Sequence, residues 1–139
     1  MEMKDLAMAV PDKNTIKKYC AGSGRTALSS FCINTGNGIQ ITVIGGESPH
    51  IGAVAMALPR KSLKNTDAIS SDCFVLPVPG HKDHLIAQMM AEDIASSADT
   101  VTVVSVGIHN DEINDDEIET IMGNAKKMTA AILHDIKLA

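Results

Sequence analysis

The chain has 139 residues, enough for one domain and too few for two ordinary ones. Its net charge of −5 and its 2% aromatic content exclude a broad electrostatic footprint for nucleic acid and the ring platforms that stack single-stranded bases. With 45% apolar and 21% charged residues the composition is globular, and no apolar run reaches membrane-spanning length.

Residues 1–24 are polar and mixed, and read as an N-terminal extension of a single domain over 1–139. Glu2, Lys4 and Asp5 sit near the start, with no signal-peptide core after them. The stretch 12–19 is compatible with a short helix. A strand is predicted over 25–35, where Phe31, Cys32 and Ile33 lie. Asn37-Gly38 then gives the strongest short hairpin signal, and the return strand runs over 39–44. Ile39, Ile41 and Val43 share one face of it; Gln40, Thr42 and Ile44 share the other. Gly45-Gly46 is expected to break that strand.

A third strand reads over 51–58, stopped by Pro59 and lined by small residues: Gly52, Ala53, Ala55 and Ala57. The polar stretch 59–72 reads as a long loop. Residues 73–78 read as a short edge strand, since Pro77 and Pro79 bar a central place. A helix is predicted over 83–97, where Ile86, Met89, Met90 and Ile94 recur at helical spacing. The nearly continuous apolar run 101–108 predicts a central strand buried on both faces. A second helix is predicted over 115–137, with Ile118, Ile121, Met122, Ala125, Met128, Ile132, Leu133 and Ile136 as its stripe. Asn114 with Glu117 three residues on makes a capping box, and Asp115 and Asp116 suit the helix dipole. The order implies an α+β fold: one mostly antiparallel sheet with two main helices packed on it.

Cys20, Cys32 and Cys73 are an odd, scattered set without a CxxC pair. They predict reduced thiols in a cytoplasmic protein rather than a disulfide framework. Sheet edges in so small a domain predict a homo-oligomer, most simply a homodimer.

The histidines carry the chemistry. His50 precedes the third strand, His81 and His84 flank the start of the first helix, and His109 ends the central strand. Strand ends and helix starts are where scaffolds present ligand-binding groups. Gly52, Gly80 and Gly107 stand beside three of them and allow close approach of a ligand to the backbone. His134, near the end of the last helix, reads as structural. Two chemistries compete. His50, His81 and His109 can hold a divalent metal such as Zn²⁺ in a small metal-dependent enzyme, with Glu47, Asp83 or Asp111 supporting them. Alternatively, His81, Lys82 and the free amides of the first helix hold a phosphate. Arg25, Arg60 and Lys61 are further cationic candidates. Neither a GxGxxG fingerprint, a Walker loop nor a serine-nucleophile elbow is present.

Three segments carry a resemblance: Gly-Gly-Glu-Ser-Pro-His-Ile-Gly (45–52), Gly-His-Lys-Asp (80–83) and Gly-Ile-His-Asn (107–110). In this order they resemble the LpdD-like proteins, which accompany UbiD-type decarboxylases such as the gallate and hydroxybenzoate enzymes. The resemblance spans residue 38 to the C-terminus; His84 is outside its pattern. It implies a non-catalytic prenylated-flavin chaperone or accessory subunit, with prenylated FMN as cargo and a UbiD-type decarboxylase as partner. It further implies cofactor-binding roles for His50, Gly52, His81, Lys82 and His109, with the phosphate near the helix start at 80–83.

Overall fold

The computed structural model of the protein describes residues 16–80 and 82–138. Six strands and two helices follow in the order β1 (Ile16–Ala21), β2 (Leu28–Asn34), β3 (Gly38–Gly46), β4 (Ala53–Lys61), β5 (Ile69–Pro77), α1 (His84–Ala98), β6 (Val101–His109) and α2 (Asp115–Leu138). The strands form one sheet in the order β1-β2-β3-β6-β4-β5. Only β3 and β6 run parallel; the other pairs are antiparallel. This is the predicted α+β domain.

The β2–β3 hairpin forms where Asn37-Gly38 placed it. Its turn needs Gly36 at φ +95, and the Thr35 N–H donates to the Gly38 carbonyl at 3.0 Å. Ile39, Ile41 and Val43 are buried and Gln40 is exposed, as the alternation required. Gly45-Gly46 does not end β3, because the register with β6 continues through Gly46 opposite His109.

Several expectations are corrected. Residues 16–19 are strand rather than helix, because pairing with β2 overrides local propensity; 12–15 lie outside the described residues. The 25–35 strand starts only at Leu28, after a single 3₁₀ turn at Gly24–Thr26. Pro59 does not stop β4. Pairing with β6 ends at Ala57, so a missing N–H is tolerated beyond it, and β4 stays paired with β5 to Lys61. The expected loop shrinks to residues 62–68, and β5 is a full nine-residue edge strand.

Both helices lie on one face of the sheet. Ala53, Ala55 and Ala57 are fully buried there, and their small size lets α1 settle onto β4. Ile86, Met90 and Ile94 of α1 and Ile121, Ala125, Met128 and Ile132 of α2 complete the core with Val104 and Val106 of β6. β6 is central, yet buried on one face only: Thr102, Val104 and Val106 are covered, and the alternate residues Val101, Val103 and Ser105 are not fully so.

α2 begins as its sequence dictates. The Glu117 N–H donates to Asn114 Oδ1 at 2.8 Å, and the Asn114 N–H donates to Glu117 Oε2 at 3.2 Å. Asn114→Ala is expected to destabilise the protein by about 1 kcal/mol. A lowering of the melting temperature by about 3–5 °C checks this. At the other end, the Tyr19 hydroxyl on β1 donates to Asp135 of α2 at 2.9 Å. Burial, with Asp135 adding to it, pushes that phenol above its ordinary range.

Candidate functional site

The site gathers where β3 and β6 end side by side. The parallel register sets Gly46 opposite His109, so the segments leaving both strands start from one point. The Glu47 and Ser48 N–H groups donate to the His109 carbonyl at 2.8 and 3.3 Å. Gly46 sits at φ +80, and a Cβ there would lie 2.2 Å from that carbonyl oxygen. The segment then crosses β6 so closely that a Cβ on Gly107 would lie 1.3 Å from the His50 carbonyl oxygen. This is why glycine stands at 46 and 107: at both positions the backbones touch.

The crossing brings His50 and His109 together, with ring centroids 5.9 Å apart in an edge-to-face arrangement. Each imidazole faces a carboxylate. His50 Nε2 lies 3.2 Å from Asp83 Oδ2, and its Nδ1 lies 3.2 Å from the Ser48 carbonyl oxygen. Both ring nitrogens thus face acceptor oxygens. His109 Nε2 lies 3.0 Å from Asp111 Oδ1 in a more exposed pair.

Asp83 is the hub. Its side chain is 7% exposed. Oδ1 accepts the Ile108 N–H at 3.2 Å, on β6 beyond the reach of β4. Gly52 has no side chain because Asp83 fills that space; a Cβ there would lie 1.7 Å from Oδ2. Asp83 also occupies the cap position of α1 but makes no side-chain cap bond, since its oxygens are spent on His50 and β6. The Leu85 N–H donates to the Lys82 carbonyl at 3.4 Å, and among the described residues no side-chain oxygen caps the first turn of α1.

A cleft of about 390 Å³ opens beside this point, between the starts of α1 and α2. Gly80, Lys82, Asp83, His109 and Asn110 form its polar end. Ile86, Ile108, Ile121 and Met122 line it, with Leu85, Ile113 and Ile118 at the rim. Ile118, read from the sequence as part of the core stripe, is half exposed and belongs to this wall. The volume suits a small-molecule site with apolar walls and a few polar groups.

Of the predicted residues, Lys82 and His109 line the cleft, while His50 and Gly52 stand behind Asp83. His81 lies outside the described residues. His84 starts α1, and its Nδ1 is buried with no partner among the described residues. Among the described residues no group of three or more His, Cys, Asp or Glu is placed to hold a metal ion.

Arg25 is not available to a ligand. Its Nη1 bonds Glu47 at 2.7 Å, its Nε bonds Glu117 at 2.9 Å, and its Nη2 donates to the Asp111 carbonyl at 2.7 Å. It ties the 3₁₀ turn to the ends of β3 and β6 and the start of α2. Arg60 pairs with Asp72 at 2.8 Å. It lies seven residues along β4 from Ala53, roughly 23 Å from the site end. Sequence reasoning missed Asn110. It is 6% exposed, accepts the Glu47 N–H and donates to the Arg25 carbonyl at 2.9 Å. Its signals were its place directly after a strand-ending histidine and at the end of the Gly-Ile-His-Asn segment. Burial pushes the Cys32 thiol up to about 11, so it stays protonated and is no nucleophile.

Residues 22–137 match the model of a family described as the prenylated flavin chaperone LpdD-like domain. No curated protein matches the chain. Among the described residues no helix is long and apolar enough to cross a membrane.

Proposed function

The chain belongs to the family of prenylated flavin chaperone LpdD-like domains, and from that premise we propose that it holds prenylated FMN in the cleft between α1 and α2 and passes it to a UbiD-type decarboxylase. The observation that carries this reading is the polarity of the cleft. One end offers Lys82 and the uncapped first turn of α1; the walls are Ile86, Ile108, Ile121 and Met122. Amides and the positive end of a helix dipole favour a phosphate. Lys82 adds a mobile charge, and His81 joins it on sequence grounds alone. The apolar walls suit an isoalloxazine with its prenyl ring, held by aliphatic and thioether contacts rather than by stacked rings.

Asp83 faces the same end, and its charge would oppose a phosphate. Its two oxygens are engaged within the protein: one lies against His50 Nε2, and the other is taken by β6. His50, Gly52 and His109 thus shape the floor on which the phosphate rests. No bond of the cargo is made or broken, and the protein is a carrier rather than an enzyme. The reading includes a cytoplasmic protein, consistent with three free thiols, working as a homo-oligomer.

The test is an anaerobic titration with prenylated FMN, read by flavin fluorescence, on wild type and Lys82→Ala. A charge-assisted bond to phosphate is worth about 1.5–3 kcal/mol, so binding is expected to weaken by about tenfold or more. Lys82 is exposed, so the melting temperature is expected to stay put. Decarboxylase co-expressed with the variant should gain less activity than with wild type. Equal binding by both proteins would reject the phosphate site, and a collapsed melt would make Lys82 structural.

A further inference from the structure

Beyond the 47–52 segment that crosses Gly107 at one end, the face of the sheet opposite the helices is uncovered among the described residues, and it is apolar. Phe31 and Ile33 of β2, Met56 and Leu58 of β4, and Phe74 and Leu76 of β5 all point from it. Phe74 is 63% exposed and Leu76 74%. Scattered exposed apolar residues are ordinary, but these are cross-strand neighbours: Met56 faces Phe74 and Val54 faces Leu76. β6, whose sequence reads as a strand buried on both faces, turns Val101 and Val103 to the same side.

We propose that this face is the interface of a homodimer, two copies packing sheet against sheet. The proposal rests on the homo-oligomer reading above and names the surface that produces it. Three features favour a second copy as the occupant. The first is charge. The chain carries −5 overall, yet among the described residues the charged ones on this face are Lys18, Arg60 and Asp72, the last two paired with each other. Copies that repel elsewhere do not repel here.

The second is area. Six strands about 4.8 Å apart and nine residues at about 3.3 Å give a face of roughly 700 Å², near the roughly 800 Å² per partner of a stable interface. The third is symmetry. Two apolar patches, Phe31 with Ile33 and Met56 with Phe74, flank a polar strip of Gln40, Thr42 and Ser105. A two-fold axis along the strands sets each patch of one copy on the other patch of its partner, twice over. The clefts lie in the helical layer, so both stay open outward.

The experiment is sedimentation equilibrium of the full chain from about 1 to 100 μM, with Phe74→Glu and Phe31→Glu beside wild type. Wild type is expected at twice the 14.7 kDa chain mass. Each variant is expected to dissociate, its association weakened on the order of 100-fold because symmetry buries every introduced charge twice. Far-UV circular dichroism and prenylated FMN binding should be unchanged, since neither residue touches the core or the cleft. A single-chain mass for wild type throughout would overturn the proposal. So would a double mass that survives in both variants, which would put the contact at a sheet edge. A monomeric wild type that binds the decarboxylase through Phe31 and Phe74 would also overturn it and give the face to that enzyme. Failure of wild type to bind flavin would strike the cofactor reading and leave the mass result standing.

Discussion

Gly107→Ala is expected to lose about 3 kcal/mol or more of stability and to melt about 10 °C lower. The added methyl would meet the His50 carbonyl oxygen at 1.3 Å and its carbon at 2.3 Å. Both are backbone atoms, so no side chain can rotate aside. Either β6 or the crossing segment must move. β6 is the worse choice, because Val106 beside Gly107 is fully buried between Val43 and Ala53. The crossing segment therefore yields, and His50 leaves Asp83. Gly123→Ala supplies the contrast. That glycine lies inside α2 with nothing near its missing Cβ, and the change should stabilise by about 0.5–1 kcal/mol. Paired thermal melts check both. Equal behaviour of the two variants would mean the close crossing is absent in solution.

Asp83→Ala is the second large effect, expected at about 3 kcal/mol. It strips the acceptor from the Ile108 N–H and removes the carboxylate facing His50, at a position only 7% exposed. Removing one partner of a buried pair costs far more than the pair contributes, because the remaining polar groups lose their solvation. Asp83→Asn should cost about half as much, since its amide oxygen can still accept from Ile108. Urea denaturation of the three proteins measures this order. If the alanine variant stays within about 0.5 kcal/mol of wild type, Asp83 is not the brace of the site.

The parts of the fold that are visible in the sequence are those whose signals are local. Asn37-Gly38 specifies a turn by its own backbone freedom, and Asn114 with Glu117 closes a ring within one helical turn. The apolar run at 101–108 marks a central strand because only such a strand is shielded by neighbours on both edges. β1 escaped notice because Ile16-Lys17-Lys18-Tyr19-Cys20-Ala21 has no compelling period. It becomes a strand only through its pairing with β2 and the reach of Tyr19 to Asp135, 116 residues away.

The site divides the same way. His50, Lys82 and His109 were legible as histidines and a cation at element ends. Their arrangement was not, because it depends on β3 and β6 pairing across sixty residues of chain. Arg25 looked like a ligand group and is instead spent on Glu47, Glu117 and a carbonyl. Asp83 looked like support for a metal and is the joint between a strand, a helix and a histidine.

The position of β6 has a consequence for how the protein is made. β1 to β3 form one meander and β4 with β5 a separate hairpin, and the two halves share no hydrogen-bonded seam until β6 enters between them. That strand arrives after residue 100, and the second wall of the cleft, α2, arrives last of all. Non-local strand pairing of this kind closes late, once its loop entropy has been overcome. A nascent or truncated chain ending before residue 101 therefore lacks this cleft. On the proposed reading, capture of the cargo waits for α2, and a proteolytic cut that frees α2 would release it.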